Sequence, residues 1–398
     1  MKRAFIPEQR RSLFKILRND EQFDDLLEFL EGPFAEYLTH EVAPKASRND
    51  HDETFPAATF KALGEMGFFG IPFPEEYGGL GANLAYYHAG LESLARIDAG
   101  LALAVAIHGT CCDGIRRFAS ETLKEKYLPA LLSGEKTAAF CLTEPDYGSD
   151  AKGMTSVYTR DGSAFRIKAS KYWITNGMTA DVFFLLAKSP EGKISAFLVE
   201  DPGDGTLSRN GIEGKMGVRS SNTAFLAFED FVAGPDTLVG EEGRGFNYSM
   251  EMLNGGRITI ASWSTGIARA AVEDLEQYAS ERKLFGARLL DLDNTRREIS
   301  EMSIKVFAAR EVAYGTALMR HLGEDVVTDA AMAKVFATEQ SVAVCQRAIQ
   351  LAGGFGYVHE AGIEQHLRDA LLGRIGEGAN ELLTCRVIAD RILGRPQS

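Results

Sequence analysis

The stretch GRIGEGANEL at 373–382 places one carboxylate, Glu377, between Gly376 and Gly378, just where a helical pattern begins. Flanking glycines let backbone or ligand come close and shield nothing, so an acid there is suited to touching a substrate. Read alone, the stretch is equally an ordinary loop carrying the acid that helix N-termini favour. Four further stretches pose the same choice. FCLTEPDYGSD (140–150) reads as a strand running into Thr143, Glu144 and Pro145, then a Gly-Ser-Asp turn. Its hydroxyls and turn amides are what polar ring edges and phosphates require. KYWITNG (171–177) sets Trp173 beside Thr175, an aromatic face with an adjacent hydroxyl, or simply the Asn-Gly signal of a hairpin. In SERKLFGARLLD (280–291), Arg282 and Phe285 are three residues apart near a helix end, which puts guanidinium and ring on one side. The planar guanidinium fork suits pyrophosphate; a solvated helix terminus is the plain alternative. QLAGGFGY (350–357) ends a helix with Gly353, Gly354 and Gly356, where a cap needs only one glycine. With no preceding strand and no GxGxxG spacing, it is not a dinucleotide fingerprint.

Three regions of different texture must position these residues. Residues 1–135 are helical in pattern, interrupted by IPFPEEYGGLG, and LALAVA is apolar on nearly every side, which predicts a central buried helix. Residues 136–238 break into short segments rich in β-branched and aromatic residues, separated by DG at 161–162, NG at 176–177 and EG at 191–192. That pattern predicts a compact antiparallel β domain. Residues 239–398 return to helical periodicity, with helices over roughly 243–282, 293–322, 326–352 and 378–393 that pack most simply as a four-helix bundle. The expected fold class is α+β: an N-terminal all-α domain, a middle antiparallel β domain and a C-terminal four-helix bundle.

Composition narrows the function. The chain has 398 residues, 45% of them hydrophobic and 25% charged, as in ordinary globular proteins. A net charge of −13 without a long Lys/Arg run speaks against nucleic acid. No apolar stretch is long enough to span a bilayer. The basic opening MKRAFIPEQRRSLFKILR reads as a first helix, with a targeting segment as the alternative. Five cysteines without CxxC spacing, most in apolar segments, fit buried reduced thiols. Seven histidines show no HExxH and no clustering, so no metal site is expected. His108, in the buried-looking helix, is best read as a satisfied core residue.

PEEYGG, LTEPDYGSD, KYWITNG, RKLFG, QLAGGFGY and RDALLGRIGEGANE occur in one order on an α–β–α layout. In this combination the chain resembles the acyl-CoA dehydrogenases, flavoenzymes that introduce an α,β double bond into acyl-CoA thioesters, from about residue 25 to 393. The resemblance implies FAD as cofactor and an acyl-CoA as substrate. It assigns Phe140, Leu142, Thr143 and Ser149 to the isoalloxazine and diphosphate, and Trp173, Ile174 and Thr175 to the flavin N5 side. Arg282, Phe285, Gln350, Gly353 and Gly354 would clasp the FAD of a neighbouring subunit, so a homo-oligomer, typically a tetramer, is implied.

By the same resemblance Glu377 is the base that removes the α-proton while the β-hydrogen leaves as hydride to flavin N5. Its backbone N–H would hydrogen-bond the thioester oxygen. Desolvation is expected to raise its pKa against the pull of the helix N-terminus. Some relatives carry the base one residue before an arginine on the first bundle helix; that position here is Gly256, before Arg257, so Glu377 is selected. Ser149, Asn254, Arg257 and Gly378 are the substrate-side positions; for Arg257 a helix salt bridge is the competing reading. The chain departs from the pattern at Gly376, Ala379 and Glu381, where Tyr, Thr and often Gln are usual, and at Asn294, where the Gln of a His-Gln pair would touch FAD. Ala379 removes a hydroxyl contact to flavin, and Gly376 widens the wall near the reacting carbons, which points to a branched or bulky acyl group. An electron acceptor such as electron-transfer flavoprotein and a cytoplasmic location (the mitochondrial matrix in a eukaryote) complete the expectation. An oxidase or desulfinase on this fold, or a non-catalytic flavin-binding scaffold, are the alternatives.

Overall fold

The computed structural model describes residues 4–395. Counting helices of two turns or more, the N-terminal part holds α1 (Pro7–Leu17), α2 (Ala43–His51), α3 (Ala57–Glu65), α4 (Leu84–Ile97), α5 (Ala99–Phe118) and α6 (Glu121–Leu132). Side-chain caps define the later ones. Asn83, Asp98 and Ser120 accept the backbone N–H groups of Ala85, Leu101 and Leu123, which would otherwise be orphaned at each helix start. α5 carries LALAVA and is buried along nearly its whole length, as its all-round apolarity predicts. Of the basic opening segment, Pro7–Leu17 forms the first helix, and residues 1–3 lie outside the described residues. α1 inserts the buried Gln9, which donates to Ala89 O at 3.0 Å and Ser93 Oγ at 3.1 Å, beside a buried Glu92–Arg310 pair.

Seven strands follow: β1 (Ala138–Cys141), β2 (Val157–Asp161), β3 (Ala164–Thr175), β4 (Val182–Lys188), β5 (Ile194–Glu200), β6 (Leu207–Gly211) and β7 (Thr223–Ala233). Their order in the sheet is β1-β4-β2-β3-β7-β6, with β5 on β4. The expected antiparallel pairing holds for β2–β3, β3–β7, β4–β5 and β6–β7. The corrections are β1, which runs parallel to β4, and one parallel pairing of β2 with β4 at Val157 and Lys188. Because β1 enters straight from α6, it lies alongside β4 without a hairpin, and periodicity carries no sign of strand direction. The DG and EG turns join paired strands, but Asn-Gly at 176–177 does not, since β3 and β4 are not neighbours. Asn176 is instead a buried anchor whose side-chain amide donates to Ala104 O at 2.9 Å and Ala138 O at 3.2 Å.

The C-terminal part contains α7 (Gly245–Glu281), α8 (Asp293–His321), α9 (Val327–Ala352) and α10 (Ile363–Gly373). α7 packs against α4, α5, α8, α9 and α10 and ties the helical regions together. Two details differ from the sequence reading. α10 is an additional helix, and the segment expected as a helix over 378–393 begins at Asn380 and relaxes into a π-turn over Leu383–Ile388. Between α7 and α8, Lys283–Leu284 and Ala287–Arg288 pair as a small hairpin, β8 and β9. Arg282 is already extended, so the helical spacing of Arg282 and Phe285 does not apply; Phe285 turns the hairpin at φ 51°.

A buried ion pair fastens the turn after β1 to β3. Lys171 and Glu144 are 0% and 1% exposed and 2.9 Å apart. The Glu144 carboxylate also accepts from Thr155 N and Oγ1 and from Ser156 N, and Lys171 donates to Leu142 O. Burial alone would raise the Glu144 pKa, but the Lys171 charge and these donors hold it down to about 2. The carboxylate therefore contributes stability above the ordinary range near pH 4.5, and loses it as pH falls toward 2. Lys171→Met, which strands a buried carboxylate, should cost about 3–5 kcal/mol. Equilibrium or thermal unfolding at neutral pH reads the loss, and the deficit should shrink as pH falls below 4.

Candidate functional site

α10 ends at Gly373, and the chain turns tightly before the helix at Asn380. Gly376 N donates to Leu372 O at 2.9 Å and Asn380 N to Arg374 O at 3.0 Å, closing the turn at both ends. At its apex Glu377 and Gly378 both take left-handed backbone, φ 54° and 97°. Glycine adopts that conformation freely and glutamate does not, so surrounding contacts must hold Glu377 there. They come from two bundle helices. From α9, Lys334 Nζ donates to Gly378 O at 2.7 Å and to Asn380 Oδ1 at 2.8 Å. Asn380 Nδ2 in turn donates to Thr338 Oγ1 and Glu339 Oε1, and Glu339 pairs with Arg374. From α7, Arg257 donates to Asn254 Oδ1 at 2.8 Å and, more weakly, to Glu377 O at 3.4 Å.

The Glu377 carboxyl lies over Gly256. A Cβ at position 256 would sit 2.4 Å from Oε2, so any side chain there would push the carboxyl out of this position. Oε2 is buried and has no hydrogen-bond partner among the described residues. Desolvation raises the pKa of this carboxyl to about 7, against the pull of the Arg257 and Lys334 charges. A carboxylate poised near neutrality with one free buried oxygen is equipped to accept a proton from a bound molecule. Arg257 is buried with no carboxylate in ion-pair range among the described residues, so the helix salt bridge is not formed. Its guanidinium is spent on Asn254 and the Glu377 turn.

The two flavin-type segments meet at the ends of β1 and β3, where Tyr172 N donates to Thr143 O at 2.9 Å. Between Lys171 and Ile174, β3 carries two residues, Tyr172 and Trp173, against the single Phe225 on β7, a bulge that throws Trp173 outward at φ 59°. Its indole is 58% exposed. Thr143 and Thr175 are half-buried, Ser149 is exposed, and none of the three hydroxyls is hydrogen-bonded among the described residues. Leu142 and Ile174 are buried, in two different core clusters, and Phe140 is half-buried against Phe184.

A second cluster gathers at the far end of α7. Tyr278, in its last turn, stacks on Phe355 at 4.6 Å, bringing the Gly353–Gly354 turn to the base of the β8–β9 hairpin. Arg282, Gln350, Gly353 and Gly354 are exposed there, and Phe285 at the hairpin tip is 92% exposed. Asn294 opens α8 and accepts from Arg297 at 3.0 Å. Ala379 and Glu381 flank Asn380, half-buried and exposed respectively.

His108 is a core residue. Its Nε2 donates to Leu131 O at 3.0 Å, Nδ1 accepts from Ala138 N at 3.1 Å, and burial lowers its pKa to about 4. Among the described residues no group of three or more His, Cys, Asp or Glu could hold a metal ion. Sequence reasoning missed Lys334, Asn380 and the Lys171–Glu144 pair. The one available signal was a lone lysine in the small, apolar run AAMAKVFA. The titration of Glu377 is directly observable. An infrared difference spectrum across pH 5–9 should show a protonated carboxyl band vanishing near pH 7 and missing in Glu377→Gln.

Comparison with known proteins identifies the family. The acyl-CoA dehydrogenase N-terminal, middle and C-terminal domain models match residues 28–135, 139–231 and 243–393. A short-chain specific acyl-CoA dehydrogenase of Clostridium acetobutylicum is 36% identical over 352 residues, 87% of this chain and 93% of that protein. The butyryl-CoA dehydrogenase structure from Megasphaera elsdenii superposes with a TM-score of 0.89 at 32% identity, covering 99% of this chain and 100% of that one. A glutaryl-CoA dehydrogenase from Mycobacterium smegmatis in complex with FADH2 gives 0.88 at 25% identity, covering 97% and 98%. With all three domains matched in order along one continuous fold, the chain belongs to the acyl-CoA dehydrogenase family of oxidoreductases.

Proposed function

We propose that the protein dehydrogenates a short acyl-CoA between its α and β carbons, with FAD as cofactor and Glu377 as the base. The observation that carries this reading is the buried, unpartnered Glu377 Oε2 on a carboxyl poised near pH 7. FAD, when bound, supplies the acceptor for the β-hydrogen, which leaves as hydride. The residues present fit such a group: Trp173 is exposed, and the hydroxyls of Thr143, Ser149 and Thr175 are uncommitted among the described residues, on segments joined by the Tyr172 N to Thr143 O bond. On the protein side, Glu377 takes the α-proton. The Glu377 N–H is proposed to orient the thioester oxygen, and Arg257, Asn254 and Gly378 to line the substrate's approach. Burial of Oε2 keeps water from that oxygen, and desolvation makes the carboxyl basic enough for this acid.

The exposed cluster of Arg282, Phe285, Gln350, Gly353 and Gly354 is proposed to serve the FAD of a neighbouring copy in a homotetramer. An exposed guanidinium without a side-chain partner among the described residues and a fully displayed ring at a hairpin tip support that reading. Asn294, Ala379 and Glu381 are proposed as further FAD-side positions, electron-transfer flavoprotein as the acceptor, and the cytoplasm as the location. The units 1–135, 136–238 and 239–398 are proposed as the domains. The short acyl length follows the relatives. Gly376, where an added Cβ would approach only Leu372 O, at 3.7 Å, leaves space for an α-branch.

Anaerobic bleaching of the flavin with a panel of straight and α-branched acyl-CoAs tests substrate and base together. Glu377→Gln should retain FAD and bind acyl-CoA while flavin reduction falls by roughly two to four orders of magnitude. Near-normal reduction would place the base elsewhere. In the wild-type protein the reduction rate should rise with pH through about 7 as the carboxyl loses its proton. Equal turnover of straight and α-branched chains would leave the branched preference without support.

A further inference from the structure

Lys334 is fully buried in the middle of α9, with Ala330, Ala331, Ala333 and Ala337 on the same helix also buried. An ammonium in such surroundings is unfavourable unless its hydrogens are matched. Among the described residues no carboxylate comes within ion-pair range of it. Its two acceptors, Gly378 O at 2.7 Å and Asn380 Oδ1 at 2.8 Å, both belong to the segment that carries Glu377. Asn380 extends the hold through Thr338 and Glu339 to Arg374, at the other end of the turn. A methionine would pack among these alanines without a desolvation penalty, so packing does not explain a lysine here. The turn does: Glu377 and Gly378 hold left-handed backbone that surrounding contacts must enforce.

We propose that Lys334 is a positioning residue of the reaction, fixing through Gly378 and Asn380 the left-handed turn that aims the Glu377 carboxyl over Gly256. The proposal rests on Glu377 being the base. Its charge has a second effect. The groups facing the Glu377 carboxyl are Arg257 from α7, Lys334 from α9 and the buried Cys111 thiol from α5; Lys334 itself also faces Glu381 and Glu339. Lys334 thus supplies one of the two positive charges that keep the carboxyl from rising further.

The test uses the FAD-loaded protein and short acyl-CoA in anaerobic stopped flow. Lys334→Met should retain FAD and bind acyl-CoA within about three-fold, while the reduction rate falls roughly 10- to 100-fold. The acid limb of its pH profile should move to higher pH, because one lowering charge is gone. A merely structural lysine would alter stability without moving that limb. Lys334→Arg keeps the charge but puts a planar fork where a compact ammonium fits, so its rate should fall with the limb unmoved; this variant also serves if the methionine protein does not fold. Wild-type rate and pH profile in either soluble variant overturn the proposal. Glu377→Gln in the same experiment separates the two readings. If it is inactive while the lysine variants are normal, only the role of Lys334 fails. If it reduces flavin normally, the base assignment itself fails.

Discussion

The structure turns on the desolvation of one carboxyl group. Moving Glu377 from the ordinary value of 4.5 to about 7 corresponds to roughly 3 kcal/mol, at about 1.4 per unit. That cost is held in the folded state by a turn in an unfavourable backbone conformation, closed at both ends and fastened to α9. Two cations approach the carboxyl without pairing with it. Arg257 reaches its carbonyl and Lys334 the carbonyl of the next residue, so each tempers its basicity while leaving Oε2 free. A direct ion pair would quench the site.

The middle domain shows the opposite outcome from the same residue types. Glu144 and Lys171 are also a buried glutamate and lysine, but they touch, and three further donors converge on the carboxylate. Its pKa falls to about 2 and the group is locked as a charge. That pair is suited to holding the β1 exit against β3, where Thr143 and Trp173 must sit together, and unsuited to moving protons. Whether a buried Glu–Lys arrangement is structural or reactive is decided here by who bonds to whom: carboxylate to ammonium in one case, backbone carbonyl to ammonium in the other.

Much of this was legible beforehand, and the omissions have physical reasons. Alternating and 3.6-residue patterns report which face is buried, so the α–β–α layout, the buried α5 and the long bundle helices follow from them. The same patterns do not encode strand direction, which hid the parallel β1–β4 pair; α10 is amphipathic, so its 3.6-residue pattern was present in IEQHLRDALLG and was passed over. The spacing of Arg282 and Phe285 misled because a helix was assumed where Arg282 had already turned extended. Asn-Gly at 176–177 carried a left-handed residue, as its type favours, but the amide was needed as a buried anchor instead of a hairpin corner. Glu377 could be singled out from its glycines. Lys334, 43 residues earlier in the chain, could not be linked to it, since their proximity exists only after α9 and the Glu377 turn pack.

The proposed proton abstraction by Glu377 can be tested apart from the proposed hydride transfer. An acyl-CoA whose β-carbon carries no hydrogen cannot be oxidised, yet its α-proton can still be removed and replaced from solvent. Deuterium incorporation at that α-carbon in D2O, followed by NMR or mass spectrometry on the FAD-loaded protein, reports the base alone. Exchange should require the deprotonated form of a group titrating near pH 7 and should be abolished in Glu377→Gln. Undiminished exchange in that variant would contradict the assignment on which the site depends.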